Sequence, residues 1–156
     1  MRITGMGQSA GVDKVGAYGV RALALMLGVF FVFNGLDKLA WFADSGILAQ
    51  RLDGWLQDAA PGTRWYFDTV AAPGIPVFAR LVPLAELVTG AALILGFWTR
   101  LAAAMAFLMV MNFHFAEGTF YEWEFLTAGM GLPVLGGLLA LSLAGSRLPL
   151  SMSGDE

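Results

Sequence analysis

The sequence predicts an all-α integral membrane protein: a four-transmembrane-helix bundle with a long extracytoplasmic loop carrying an amphipathic helix. Composition is the first reason. Of 156 residues, 58% are hydrophobic and only 13% charged, with a mean hydropathy of +0.69. Soluble domains carry about 25% charged residues, so this chain has too few to solvate a surface of its own. The second reason is the arrangement of the apolar residues. They gather into four stretches of a length that can cross hydrocarbon, where about 20 residues in a helix satisfy every backbone group internally. The same arithmetic argues against a disordered chain, a nucleic-acid binder and an ordinary soluble enzyme. With no cysteine, the chain has no disulfide, thiolate metal site or iron–sulfur ligation. Its single histidine excludes any metal site that needs two imidazoles from one chain.

Residues 1–14, MRITGMGQSAGVDK, are polar and glycine-rich and read as a flexible tail. The first span covers residues 16–36. Lys14 and Arg21 near its start resemble the basic end of a signal peptide, but the apolar run is too long for one and no small-x-small cleavage site follows, so it reads as an uncleaved anchor. The loop covers 40–74. Within it Leu48, Leu52, Trp55, Leu56 and Ala59 fall on one helical stripe. Ser45 or Asp44 can cap its start and Pro61-Gly62 stops it, and such a helix can lie on the bilayer with its apolar face down. A second short turn, Thr63 to Val70, brings Trp65, Tyr66 and Phe67 to the same interface. The second span covers 75–97. Only Trp98, Thr99 and Arg100 separate it from the third, at 101–118, so these two are antiparallel neighbours. The fourth covers 125–144. Pro83 and Pro133 interrupt the second and fourth spans and are expected to kink them. Ala24 with Gly28, and Gly136 with Ala140 and Ala144, are small-xxx-small faces suited to close helix packing.

Charge sets the orientation. Arg2, Lys14, Arg21, Arg100 and Arg147 lie on the side of the termini, against Asp13, Asp155 and Glu156. The other side holds Lys38, Arg51, Arg64 and Arg80 against Asp37, Asp44, Asp53, Asp58, Asp68, Glu117, Glu122 and Glu124. The positive-inside rule then places both termini in the cytoplasm. Trp41, Phe42, Trp55, Trp65, Tyr66, Phe67, Phe120, Tyr121 and Trp123 crowd the outer interface. They suit an aromatic belt, a lid over polar groups beneath, or a face for an outer partner.

Depth along the helices separates the polar residues. At about 1.5 Å per residue, Glu86 and Asn112 lie roughly 20 Å from the cytoplasmic turn, and His114 about 3 Å farther. Asn34 lies roughly 24 Å deep on the first span, with Lys38 one turn beyond it, and Arg80 roughly 28 Å deep, within snorkelling reach of the outer interface. The outer half of the bundle is therefore polar and the inner half apolar. A mid-membrane carboxylate costs several kcal/mol unless paired or protonated and is a functional candidate by default. Arg80 precedes Glu86 by six positions, about 120° around the helix, so a partner must come from another helix. Two readings stay open for Glu86, Lys38, Asn34, Asn112, His114 and Arg80: a polar network holding the helices in register, or a ligand or proton site. Met105, Met109 and Met111 precede His114. Without cysteine or a second histidine they read as packing rather than as a copper site.

FFVFNGLDKL at 30–39 resembles the end of the first span in the DoxX/DoxD family of small four-helix membrane proteins. PVFARLVPLAELVTGAALILGFWTRLAAAMAFLMVMNFHF at 76–115 carries the stronger likeness, with an early Arg, a mid-helix Glu, a Gly and a short turn ending in Thr-Arg. YEWEF before the last span adds to it, and the chain departs from the family at Gly145-Ser146-Arg147, where a Gly-Pro-Gly-Arg turn is more usual. The resemblance implies a bacterial cytoplasmic-membrane location and a role beside partner subunits in a quinone-linked oxidoreductase assembly, thiosulfate:quinone oxidoreductase among them. It implies no covalently bound cofactor. In a quinone reading, two of Asn34, Lys38, Arg80, Glu86, Asn112 and His114 bond the head-group carbonyls. Glu86 or His114 exchanges protons, and the apolar inner half receives the isoprenoid tail. The competing reading is a structural accessory subunit without chemistry.

Overall fold

The computed structural model describes residues 6–57, 59–144 and 148–152, with side chains from residue 14 onward apart from Tyr121. Among the described residues the regular structure is entirely helical. Helix α1 (Met6–Asp37) is followed by the short α2 (Ala40–Ala43) and by α3 (Gly46–Trp55). Next, α4 (Pro61–Tyr66) runs through a π turn (Phe67–Ala71) into α5 (Ala72–Leu95) without a break. After a tight turn come α6 (Thr99–Glu117), a 3-10 turn (Thr119–Tyr121), α7 (Trp123–Thr127) and α8 (Leu132–Ala144).

Three helical runs are long and apolar enough to cross a membrane: Lys14–Ala43, Pro61–Leu95 and Thr99–Glu117. They are apolar all round, as membrane helices are. Met26, Val29 and Phe33 on α1, Val77, Leu81, Leu84 and Val88 on α5, and Leu101, Met105 and Leu108 on α6 face outward. In water such faces would aggregate; in a bilayer they are the solvated surface. The protein is a membrane helical bundle.

Several expected boundaries shift. The backbone is helical from Met6, so most of the expected tail belongs to α1; residues 1–5 lie outside the described set. Pro61 does not stop the loop helix but opens α4 at its first turn, where its missing N–H is no loss. The expected 40–74 loop is consequently shorter, because 61–74 is the beginning of the second long helix. The fourth apolar run breaks at Ala128–Gly131, and among the described residues α8 then has 13, about 20 Å against about 30 Å of hydrocarbon; residues 145–147 lie outside the described set. Pro133 stands second in α8 and starts the helix rather than kinking it.

Helix α1 packs chiefly on α5, and α6 on α8. At the first crossing the backbones nearly touch: a Cβ on Gly90 would stand 2.7 Å from the Gly28 carbonyl oxygen and 2.8 Å from the Val32 nitrogen. Ala24 is fully buried beside this contact, as small-residue packing requires. The other small-residue face does not pack in the bundle, since Gly136, Ala140 and Ala144 point outward. Phe31, Leu93, Ala103, Ala106, Leu138 and Leu141 form a core with essentially no exposure. Trp41, Leu48, Leu52, Ala71 and Ala79 form a second cluster. The apolar stripe of α3 is thus buried against the bundle, not laid on lipid. Its first turn is held by Asp44, whose Oδ1 accepts the Gly46 N–H at 2.8 Å.

The α5–α6 turn uses left-handed backbone at Gly96 (φ 71°) and at Trp98 (φ 46°). Buried Arg21 reaches it from α1. Its Nη1 donates to the Leu93 carbonyl at 2.9 Å, and Nη2 donates to the carbonyls of Ile94 and Leu150. Arg100 donates from Nε to the Ser142 carbonyl at 3.0 Å. Both arginines therefore satisfy the exposed carbonyls of a helix C-terminus, where positive charge also opposes the helix dipole.

Candidate functional site

The α1–α5 crossing decides what lies above it. Lys38 follows the last turn of α1, one turn beyond Asn34, and Glu86 stands on the buried face of α5 two turns after Ala79. Lys38 Nζ donates to Glu86 Oε1 and Oε2, both at 2.9 Å, and to the Asn34 carbonyl at 3.1 Å. The two side chains are 9% and 4% exposed, so three ammonium protons meet three acceptors away from solvent. The interhelical partner expected for Glu86 is Lys38. Such a pair is tolerated away from water only because each charge neutralises the other; removing one member strands its partner.

Beside this pair is a cavity of about 300 Å³ whose lining includes Asn34, Lys38, Glu86 and His114. Of the sequence-derived candidates, the structure brings these four together. Trp41 covers them, with Lys38 Nζ 5.9 Å from its ring centre and the Arg51 guanidinium carbon 5.3 Å away, both within cation–π range.

His114 is buried near the end of α6. Its Nε2 lies 3.0 Å from the Met130 carbonyl and its Nδ1 3.0 Å from Thr119 Oγ1. A carbonyl only accepts, so Nε2 carries a proton and Nδ1 faces the hydroxyl. Edge-to-face contacts with Phe120 and Phe125, at 5.8 and 5.2 Å, complete its surroundings. The ring thus ties the 119–131 connection to α6 while one side faces the cavity. Glu117 Oε2 lies 4.0 Å from Nδ1.

Two candidates fall elsewhere. Arg80 is exposed and donates to the Pro76 carbonyl of its own helix. Asn112 has the right depth but the wrong azimuth: two positions from His114 is about 200° of rotation, which turns it away from the cavity. Its Oδ1 instead accepts the Tyr66 hydroxyl proton at 2.8 Å, beside a smaller cavity of about 50 Å³.

Asp37, Arg51, Glu117, Trp41 and Trp55 also line the large cavity without having been singled out as site residues. A signal for two of them exists: Trp55 belongs to the apolar stripe of α3, and Arg51 stands one turn before it. The aromatic belt is likewise divided, with Trp65 and Trp123 outward at 63% and 76% exposure and Trp41 inward at 3%.

Residues 19–116 match the DoxX family. The chain belongs to the DoxX family. No curated protein and no solved structure matches it. The matched part of this DoxX-family chain includes Arg21, Asn34, Lys38, Glu86 and His114, while the Met130 and Val134 wall and all of α8 lie beyond it. Among the described residues, no group of three or more His, Cys, Asp or Glu side chains is placed to hold a metal ion.

Proposed function

We propose that this chain is the integral membrane subunit of a quinone-linked oxidoreductase assembly in the bacterial cytoplasmic membrane, with both termini cytoplasmic. The quinone head group occupies the cavity at the loop end of the bundle. The observation that carries this reading is the cavity itself: about 300 Å³, the lower end of small-molecule sites, placed where a buried ion pair, an imidazole and indole rings converge inside a lipid-facing shell.

The residues present fit such a head group. Asn34 Nδ2 donates one proton to the Phe30 carbonyl at 2.9 Å and has a second to give. Arg51 makes no hydrogen bond to another described residue and presents its donors at the mouth. Trp41 and Trp55 offer flat apolar faces. When bound, a quinone supplies two-electron, two-proton carrier chemistry. The chain's part is to bind the carbonyls through Asn34 and Arg51, to orient the ring against Trp41, and to hold a proton at Glu86 or on His114. A partner subunit at the acidic loop face handles the water-soluble substrate, a thiosulfate-type donor by family likeness.

The test is Glu86→Gln in the assembled complex. Loss of quinone-dependent turnover with assembly intact supports the reading; full turnover refutes it. The accessory-subunit reading is favoured by one observation, the complete pairing of Lys38 and of both His114 nitrogens. It requires that full turnover.

A further inference from the structure

Trp55 and Phe113 line the large cavity and also the smaller one behind it. The two spaces are adjacent and differ in chemistry. The first gathers the charged groups; the second is walled mainly by Leu48, Leu52, Ala71, Phe78, Val82 and Ala116, with the Tyr66–Asn112 pair at exposed Asn112. The rings between them are half-buried, and neither makes a hydrogen bond to another described residue, so they can turn without unpairing a polar atom. Ala71 closes the π turn, a helix irregularity often found at functional sites.

Toward the α5–α6 turn, by contrast, the large cavity meets filled space. Phe31, Leu93, Ala106 and Leu138 are 0–1% exposed, and at interior packing density such a core has no room for a lipid chain. The expectation that the inner half of the bundle receives the tail therefore fails on packing.

We propose that the smaller cavity takes the first segment of the chain of an amphipathic lipid with a planar head. The head sits beside Lys38 and Glu86, and the apolar chain passes between Trp55 and Phe113 to leave beside Asn112. This deepens the quinone reading and rests on it.

The experiment uses the full chain in lipid nanodiscs with two probes: a single-isoprene ubiquinone, and a decyl-tailed ubiquinone carrying a diazirine on the part of its tail nearest the ring, the part that the small cavity would hold. Photolabelled peptides are mapped by mass spectrometry. Labels on Leu48, Leu52, Phe78, Val82 or Ala116 are expected in the unaltered protein. Ala116→Trp, which fills the subsite, is expected to lower the ratio of decyl to single-isoprene affinity about ten-fold, the loss typical of overpacking a preformed site. Labels on Leu27, Leu138 or other core residues, or an unchanged ratio, overturn the subsite while leaving the head-group site standing. Failure of both probes to bind overturns both.

Discussion

Removing one member of the Lys38–Glu86 pair should harm the protein far more than removing both. At 2.9 Å and an effective dielectric of about 20, the attraction is about 6 kcal/mol, offset in the intact protein by the desolvation of both ions. Lys38→Met leaves the Glu86 carboxylate buried without its donor, and Glu86→Met leaves an ammonium with the Asn34 carbonyl and the Trp41 ring but no counter-charge. Each single change is expected to cost about 3–5 kcal/mol. The double change replaces charge by apolar volume in an apolar setting and is expected to return to within about 1 kcal/mol of the unaltered protein. Reversible unfolding in mixed micelles, titrated with dodecyl sulfate and followed by circular dichroism, gives the three free energies and their coupling. The reasoning fails if either single change costs less than about 1 kcal/mol, or if the double variant is as unstable as the two single losses added together.

Three further changes probe the frame around the pair. Gly90→Ala places a methyl against the Gly28 carbonyl and the Val32 nitrogen, backbone that cannot swing aside; a loss of about 1–3 kcal/mol is expected in the same titration. Arg21→Met removes the donors to Leu93, Ile94 and Leu150; a loss of about 3 kcal/mol, with faster hydrogen exchange at Met152, whose N–H bonds the Leu95 carbonyl, is expected. Arg80→Gln touches only its own helix and should leave quinone binding unchanged by fluorescence titration; a measurable loss would place Arg80 in the site after all.

The sequence made the class and the depth of the polar groups legible, because both depend on counting along helices of fixed rise. Depth alone singles out Glu86, and helix geometry sends its partner to another helix, where Lys38 stands. What counting could not supply was azimuth and crossing geometry. Asn112 and His114 differ by only two positions, yet they face different cavities, and which face of α6 turns inward depends on α8 and α5. Arg21 read as a topology charge because its acceptors, the carbonyls of Leu93 and Ile94, are distant in the chain. The run from Pro61 to Leu95 read as loop then span because the polar residues of Gly62–Asp68 mask the helix, while Pro61 in its first turn is compatible with either boundary. Arg51 is illegible for a related reason: the stripe that contains Trp55 says that something is covered, and not what lies under it.

The quinone proposed for the cavity beside Lys38 and Glu86 can be counted. Its presence is tested most directly by extracting the protein into polymer-bounded lipid discs and measuring quinone per chain against the quinone content of the surrounding lipid. Near-stoichiometric quinone above that background is predicted for the unaltered protein. The Asn34→Leu, Arg51→Leu double variant, which lacks the donors proposed to hold the head-group carbonyls, should fall to background. Quinone no higher than background in the unaltered protein, or retained in full by the double variant, would contradict the account.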